Sequence, residues 1–177
     1  MKHRWAGNCA LGAAVCGVVL ALLSAGSVGV QNVRAATAVP PEGVAAERAK
    51  EDAILKPKFE AVCGSCHDSG QATNGGRRTV TGWRETIEQM VAFGAPVSPE
   101  DKALVQKYLV RHYGLVNVNT APANELAEAL EISATDADAM VKFRTANGPF
   151  SDFTELSKVP GIDATTLKLA EDSIIFK

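Results

Sequence analysis

The chain predicts an all-α protein, two small helical domains behind a targeting segment, and three observations predict it. Apolar residues recur at helical spacing behind serine and threonine caps, two cysteines stand just ahead of a histidine, and the character of the sequence changes after Gly114. At 177 residues, 46% hydrophobic and 21% charged, there is room for one or two small cores and none for a large enzyme. Charge is unevenly sorted. Residues 1–37 hold three basic and no acidic residues, 38–114 hold ten of each, and 115–177 hold five basic against ten acidic. The final third is therefore acidic, which opposes a polyanionic partner.

Met1–Ala35 reads as a signal peptide. Lys2 and Arg4 precede an uncharged stretch from Cys9 to Val30, and Val33 and Ala35 stand where a signal peptidase reads small residues. An uncleaved membrane anchor is the alternative, because twenty-two uncharged residues can span a bilayer. Either way the remainder is exported, and a periplasmic location is expected. Cleavage removes Cys9 and Cys16 and leaves Cys63 and Cys66, too few for a disulfide framework.

Cys63, Gly64, Ser65, Cys66 and His67 form a C-x-x-C-H run. With two intervening residues, one helical turn presents both sulfurs to a single porphyrin edge, and the next residue swings its imidazole under the iron. The run predicts one covalent haem c, with His67 as an iron ligand. A thioredoxin-like pair would want a strand before it, and a zinc site would want a second ligand pair.

Around this run, Val44–Leu55 predicts a helix ending before Pro57, Lys58–Cys63 a turn into the motif, and Trp83–Phe93 a helix stopped by Gly94. Ser98 and Asp101 make a capping box with Pro99 at the first helical position, opening a helix that runs to Gly114. The arrangement resembles the class I c-type cytochromes, in which two terminal helices cross beside the haem. Arg77, Arg78, Thr79, Gly82, Trp83, Met90, Gly94, Ala95 and Tyr108 carry a further resemblance to small cytochrome domains that accompany periplasmic oxidoreductases. The resemblance covers residues 42–114, within a domain assigned to 36–114, and implies single-electron transfer. It places an axial thioether at Met90. Spacing leaves a second reading open, since Met90 also falls on the apolar stripe of Trp83, Ile87 and Val91. His112 or an open iron are the alternatives. Arg77 and Arg78 are candidates to pair with haem propionates, or are a solvated loop, and Trp83 joins the candidate haem contacts.

From Val116 the sequence reads Val116, Asn117, Val118, Asn119, Thr120, Ala121, then Glu125, Leu126, Ala139, Val141, Phe143, Arg144, Gly148, Phe150, and Glu155, Leu156, Val159, Pro160, Gly161, Ile162. This resembles the helix-hairpin-helix domain of the ComEA family, exported proteins that receive DNA, and covers 115–177. It also resembles an extrinsic photosystem II subunit in which a related fold binds protein. Thr135 and Asp138 suggest a further capping box, with Gly148 and Pro149 ending that helix. Hairpins that hold phosphate use glycine to bring backbone N–H groups close. Residues 131–134 have no glycine and place Glu131 in the turn, while Asp163 follows Gly161 where a second glycine is expected. With the acidic charge, this makes DNA an unfavoured partner.

The expectation is an exported, non-enzymatic monohaem electron carrier whose acidic module docks a periplasmic redox protein, a dehydrogenase or another cytochrome. The alternative is a haem-bearing ComEA-like protein of DNA binding or uptake, and a third is a haem enzyme with an open distal site. Ser65 and Ser98 have no histidine placed to activate them as nucleophiles.

Overall fold

A computed structural model describes residues 41–177, so the segment expected to direct export, Met1–Ala35, lies outside the described residues. The described residues belong to one compact unit. The described chain runs α1 (Pro41–Cys63), α2 (Gly70–Asn74), β1 (Arg78–Thr79), α3 (Val80–Ala92), α4 (Pro99–Tyr113), β2 (Gly114–Asn117), α5 (Ala123–Leu130), α6 (Ala134–Asn147), α7 (Phe153–Leu156), α8 (Ala164–Leu169), a 3-10 turn (Glu171–Ser173) and β3 (Ile174–Ile175).

The mainly helical expectation holds, and the strictly all-α one is corrected by a small parallel sheet of order β1-β2-β3. Arg78 pairs with Gly114 and Thr79 with Leu115, then Val116 with Ile174 and Asn117 with Ile175. Strands of two to four residues are too short to show a period of two against helical surroundings. Gly114 makes the change from helix to strand, and it does so by close approach: a Cβ there would stand 2.1 Å from the Val110 carbonyl oxygen.

Helix α1 corrects another expectation, because it passes through Pro57 instead of ending before it. Proline removes one N–H and orphans the Ala53 carbonyl. Both Ala53 and Pro57 are exposed, so water can take that carbonyl. Helices α3 and α4 begin on side-chain caps: Thr79 accepts from the Gly82 N–H and Ser98 from the Asp101 N–H. Helix α6 starts two residues earlier than expected, since Ser133 caps it by accepting from the Asp136 N–H and Thr135 is already helical. Gly148 ends it, as the sequence suggests.

One apolar core runs through the described residues. Leu55 and Phe59 of α1 meet Trp83 and Ile87 of α3 and Val105 and Tyr108 of α4, and the same core continues into Leu126, Leu130, Met140, Leu156 and Leu167. The Phe59 and Tyr108 rings stack with centroids 4.7 Å apart, fixing α1 on α4. Among the described residues, no helix is long and apolar enough to cross a membrane.

Candidate functional site

A cavity of about 470 Å³ opens among α1, α3 and α4, and Cys63, Cys66, His67 and Met90 all line it. Cys63 is the last residue of α1, and Cys66 lies in the turn that follows. Gly64 lets that turn fold tightly, since a Cβ there would come within 2.4 Å of the Glu60 carbonyl oxygen. Both cysteines are free thiols, not a disulfide. Burial raises the Cys63 thiol above its ordinary value and so keeps it protonated. His67 Nδ1 lies 2.9 Å from the Asp68 carbonyl oxygen. Donation from Nδ1 would leave the Nε2 lone pair free for a metal, a common way of orienting a ligating imidazole.

These residues fit a haem. The volume falls in the range of ordinary ligand pockets, about 300 to 1,000 Å³. Two thiols and an imidazole share one wall, and Ile87, Val105 and Leu109 supply apolar surface. Among the described residues no three His, Cys, Asp or Glu side chains gather as a metal site.

The remaining predicted residues separate. Arg78 lines the cavity, with its guanidinium 5.5 Å from the Trp83 ring centre. Arg77, its neighbour, turns the other way: it donates to the Asp172 carbonyl and, at 3.1 Å, to the Ser173 hydroxyl. Trp83 is fully buried and donates through Nε1 to the Tyr113 carbonyl at 2.9 Å, a core position beneath Arg78. His112 lies off the cavity, 3.2 Å from Asp52 and packed on Tyr108. Sequence reasoning missed Phe93 and Val97, which with Ala95 line the cavity just beyond α3. Their closeness to Met90 was the available signal: the Phe93 and Ala95 N–H groups both donate to the Met90 carbonyl.

Past β2, α5 and α6 make the first hairpin. Its turn residue Glu131 has φ 53° and ψ 40°, the left-handed region that glycine favours. The expectation that its carboxylate stands at the mouth of the turn is corrected. Arg48 Nε reaches it at 2.8 Å and Arg111 Nε at 2.5 Å, and it is 19% exposed. Glu125 and Glu128 of α5 and Glu131 just after it, three residues apart, meet Thr81, Gln106 and Arg111 of the preceding segment. The second hairpin turns on Gly161, φ 88°, and Asp163 caps α8 by accepting from the Thr165 N–H at 3.0 Å. At both hairpins an N-cap side chain already takes one helix-start N–H.

Comparison with known proteins agrees with this geometry. Residues 112–175 match the helix-hairpin-helix motif family. An uncharacterized protein of Haemophilus influenzae is 40% identical over 62 residues, 34% of this chain and 55% of that protein. ComE operon protein 1 of Bacillus subtilis is 33% identical over 63 residues, 36% of this chain and 31% of that protein. The chain thus spans between about a third and a half of the relatives it matches. No solved structure matches. Residues 112–175 are accordingly a helix-hairpin-helix module similar to one in a ComE operon protein.

Proposed function

We propose that this chain is an exported haem-bearing ComEA-like protein, in which a module that meets nucleic acid is built against a covalent haem site. The match of residues 112–175 carries the module half of this reading, and it favours DNA over the protein docking that charge alone suggests. Glu131 supports it too, since its carboxylate is paired with Arg48 and Arg111 and repels an outside phosphate less than an unpaired charge would. The cavity with Cys63, Cys66 and His67 supports the haem half.

Bound there, haem c would supply one-electron chemistry. The two thiols would hold it by thioether bonds, and His67, oriented through its Nδ1 contact, would present Nε2 to the iron. Met90 would offer its thioether from α3, and Arg78 a guanidinium to a propionate. Ile87, Val105 and Leu109 would lay apolar surface against the group, which favours the less charged reduced state.

The test is a fluorescence anisotropy titration of the haem-loaded protein with labelled duplex DNA at low and moderate salt. Micromolar, salt-sensitive binding supports the proposal. No binding at low salt overturns its nucleic-acid half and favours a second reading, an electron carrier whose acidic module docks a periplasmic redox protein. One observation favours that second reading: Ser133 and Asp163 occupy N–H groups that a phosphate would otherwise take.

A further inference from the structure

Arg78 is an exposed side chain, yet it is closely held, and glycines make the room for it. Gly75 has φ −74° and ψ 3°, a negative φ that needs no glycine. A Cβ placed there would stand 3.1 Å from Nη2 of Arg78, and apart from its chain neighbours no other atom of the described residues comes within 4 Å of it. The same guanidinium lies 5.5 Å from the centre of the Trp83 ring, which is itself fixed by burial and by the bond from Nε1 to the Tyr113 carbonyl. At the foot of the side chain, a Cβ on Gly82 would come within 3.3 Å of the Arg78 Cβ. The backbone is fastened too. Arg78 pairs with Gly114 in the sheet, and Arg77 donates to the Asp172 carbonyl and the Ser173 hydroxyl.

What this held cation lacks is an anion. Arg48, Arg84 and Arg111 each meet a carboxylate, whereas Arg78, which lines the cavity, meets none among the described residues. An exposed ion pair is weak in large part because two long side chains must give up their freedom to form it. The close fit against Gly75 and Trp83 limits that freedom before any anion arrives. We propose that Gly75 is a positioning residue for the haem site: its missing side chain lets the Arg78 guanidinium lie over Trp83 at the cavity wall, preset to pair with the carboxylate of a haem propionate. This rests on the haem reading above.

The experiment takes the haem-loaded full-length protein and compares wild type with G75A, R78Q and the double variant, reading the propionate bending band by resonance Raman spectroscopy and the reduction potential by titration. G75A keeps the charge and asks nothing new of the backbone; it adds one methyl group where Nη2 lies, and the flexible end of Arg78 yields to it. R78Q should move the propionate band and lower the one-electron reduction equilibrium about fivefold, since a cation beside the haem favours the reduced iron. G75A should move the band the same way and lower that equilibrium about twofold. The double variant should match R78Q, because Gly75 acts only through Arg78. A G75A effect that persists undiminished in the R78Q background overturns the positioning role, and so does a G75A protein identical to wild type. An unmoved band in R78Q overturns the pairing with a propionate. Absence of covalent haem from the wild type is a separate failure, which overturns the haem reading and this inference with it.

Discussion

Asn119 and Phe150 are joined as two strands would be: the Asn119 Nδ2 donates to the Phe150 carbonyl at 2.9 Å while its Oδ1 accepts from the Phe150 N–H at 2.7 Å. The same Nδ2 also donates to the Phe176 carbonyl at 2.9 Å. One amide side chain thus satisfies backbone groups from the end of α6 and from beyond β3. Asn119→Ala should lower stability by about 2 to 3 kcal/mol, because the backbone groups it leaves are partly buried and unpaired. Urea unfolding checks this: the midpoint should fall with no change of slope.

Haem attachment is the simplest chemical prediction. Protein made with a cytochrome c maturation system should keep its haem through acid-acetone extraction, and the Cys63→Ala, Cys66→Ala double variant should lose it. Retention by the double variant would mean that the cavity holds the group by other bonds.

Met90 and Met140 make an internal comparison, since Met90 lines the cavity and Met140 is fully buried in the core of the module. Met90→Ala should abolish the weak red sulfur-to-iron band of the oxidised protein and lower its reduction potential. Met140→Ala should leave both unchanged and instead cost about 2 to 5 kcal/mol of stability. An unaltered band in the Met90 variant assigns the sixth position to another group.

Acid should loosen the joint between α1 and α4. The Arg111 hydrogen bond, with Lys107, holds Glu51 below its ordinary value; at Asp52 burial acts upward but Arg111 and His112 outweigh it. Carboxyls depressed in the folded state stabilise it above their unfolded values, about pH 4, and that stability is lost as pH falls further through the folded values. Unfolding midpoints measured between pH 6 and about pH 3 should fall steeply for the wild type and less steeply for Arg111→Met, in which both carboxylates have lost this partner.

How much of this was legible depended on range. The Ser98 cap and the Gly148 stop are signals contained within a few residues, and each has its expected place in the structure, while the residues of the C-x-x-C-H run and Met90 line one cavity. Pro57 misled because a local rule met a solvent-facing carbonyl that water can satisfy. Thr135 misled because two hydroxyls two residues apart, Ser133 and Thr135, offer equally good caps in sequence, and only the backbone decides between them. The Arg111 cluster was beyond reach: Asp52 and Arg111 lie 59 positions apart, and no periodicity links charged residues over such a distance. The sequence reading treated Glu131 as a free charge for the same reason.

The order of the small sheet has a consequence for how the molecule comes together. Its middle strand, β2, is flanked by β1 from earlier in the sequence and by β3 from later in it, so Val116 and Asn117 wait for Ile174 and Ile175, 58 positions further on. Cys63 and Cys66 stand more than 100 positions ahead of that strand. Under the proposed haem attachment the two thiols are therefore made while the sheet is still open, and seating of β3, which draws Asp172 and Ser173 onto Arg77, follows them.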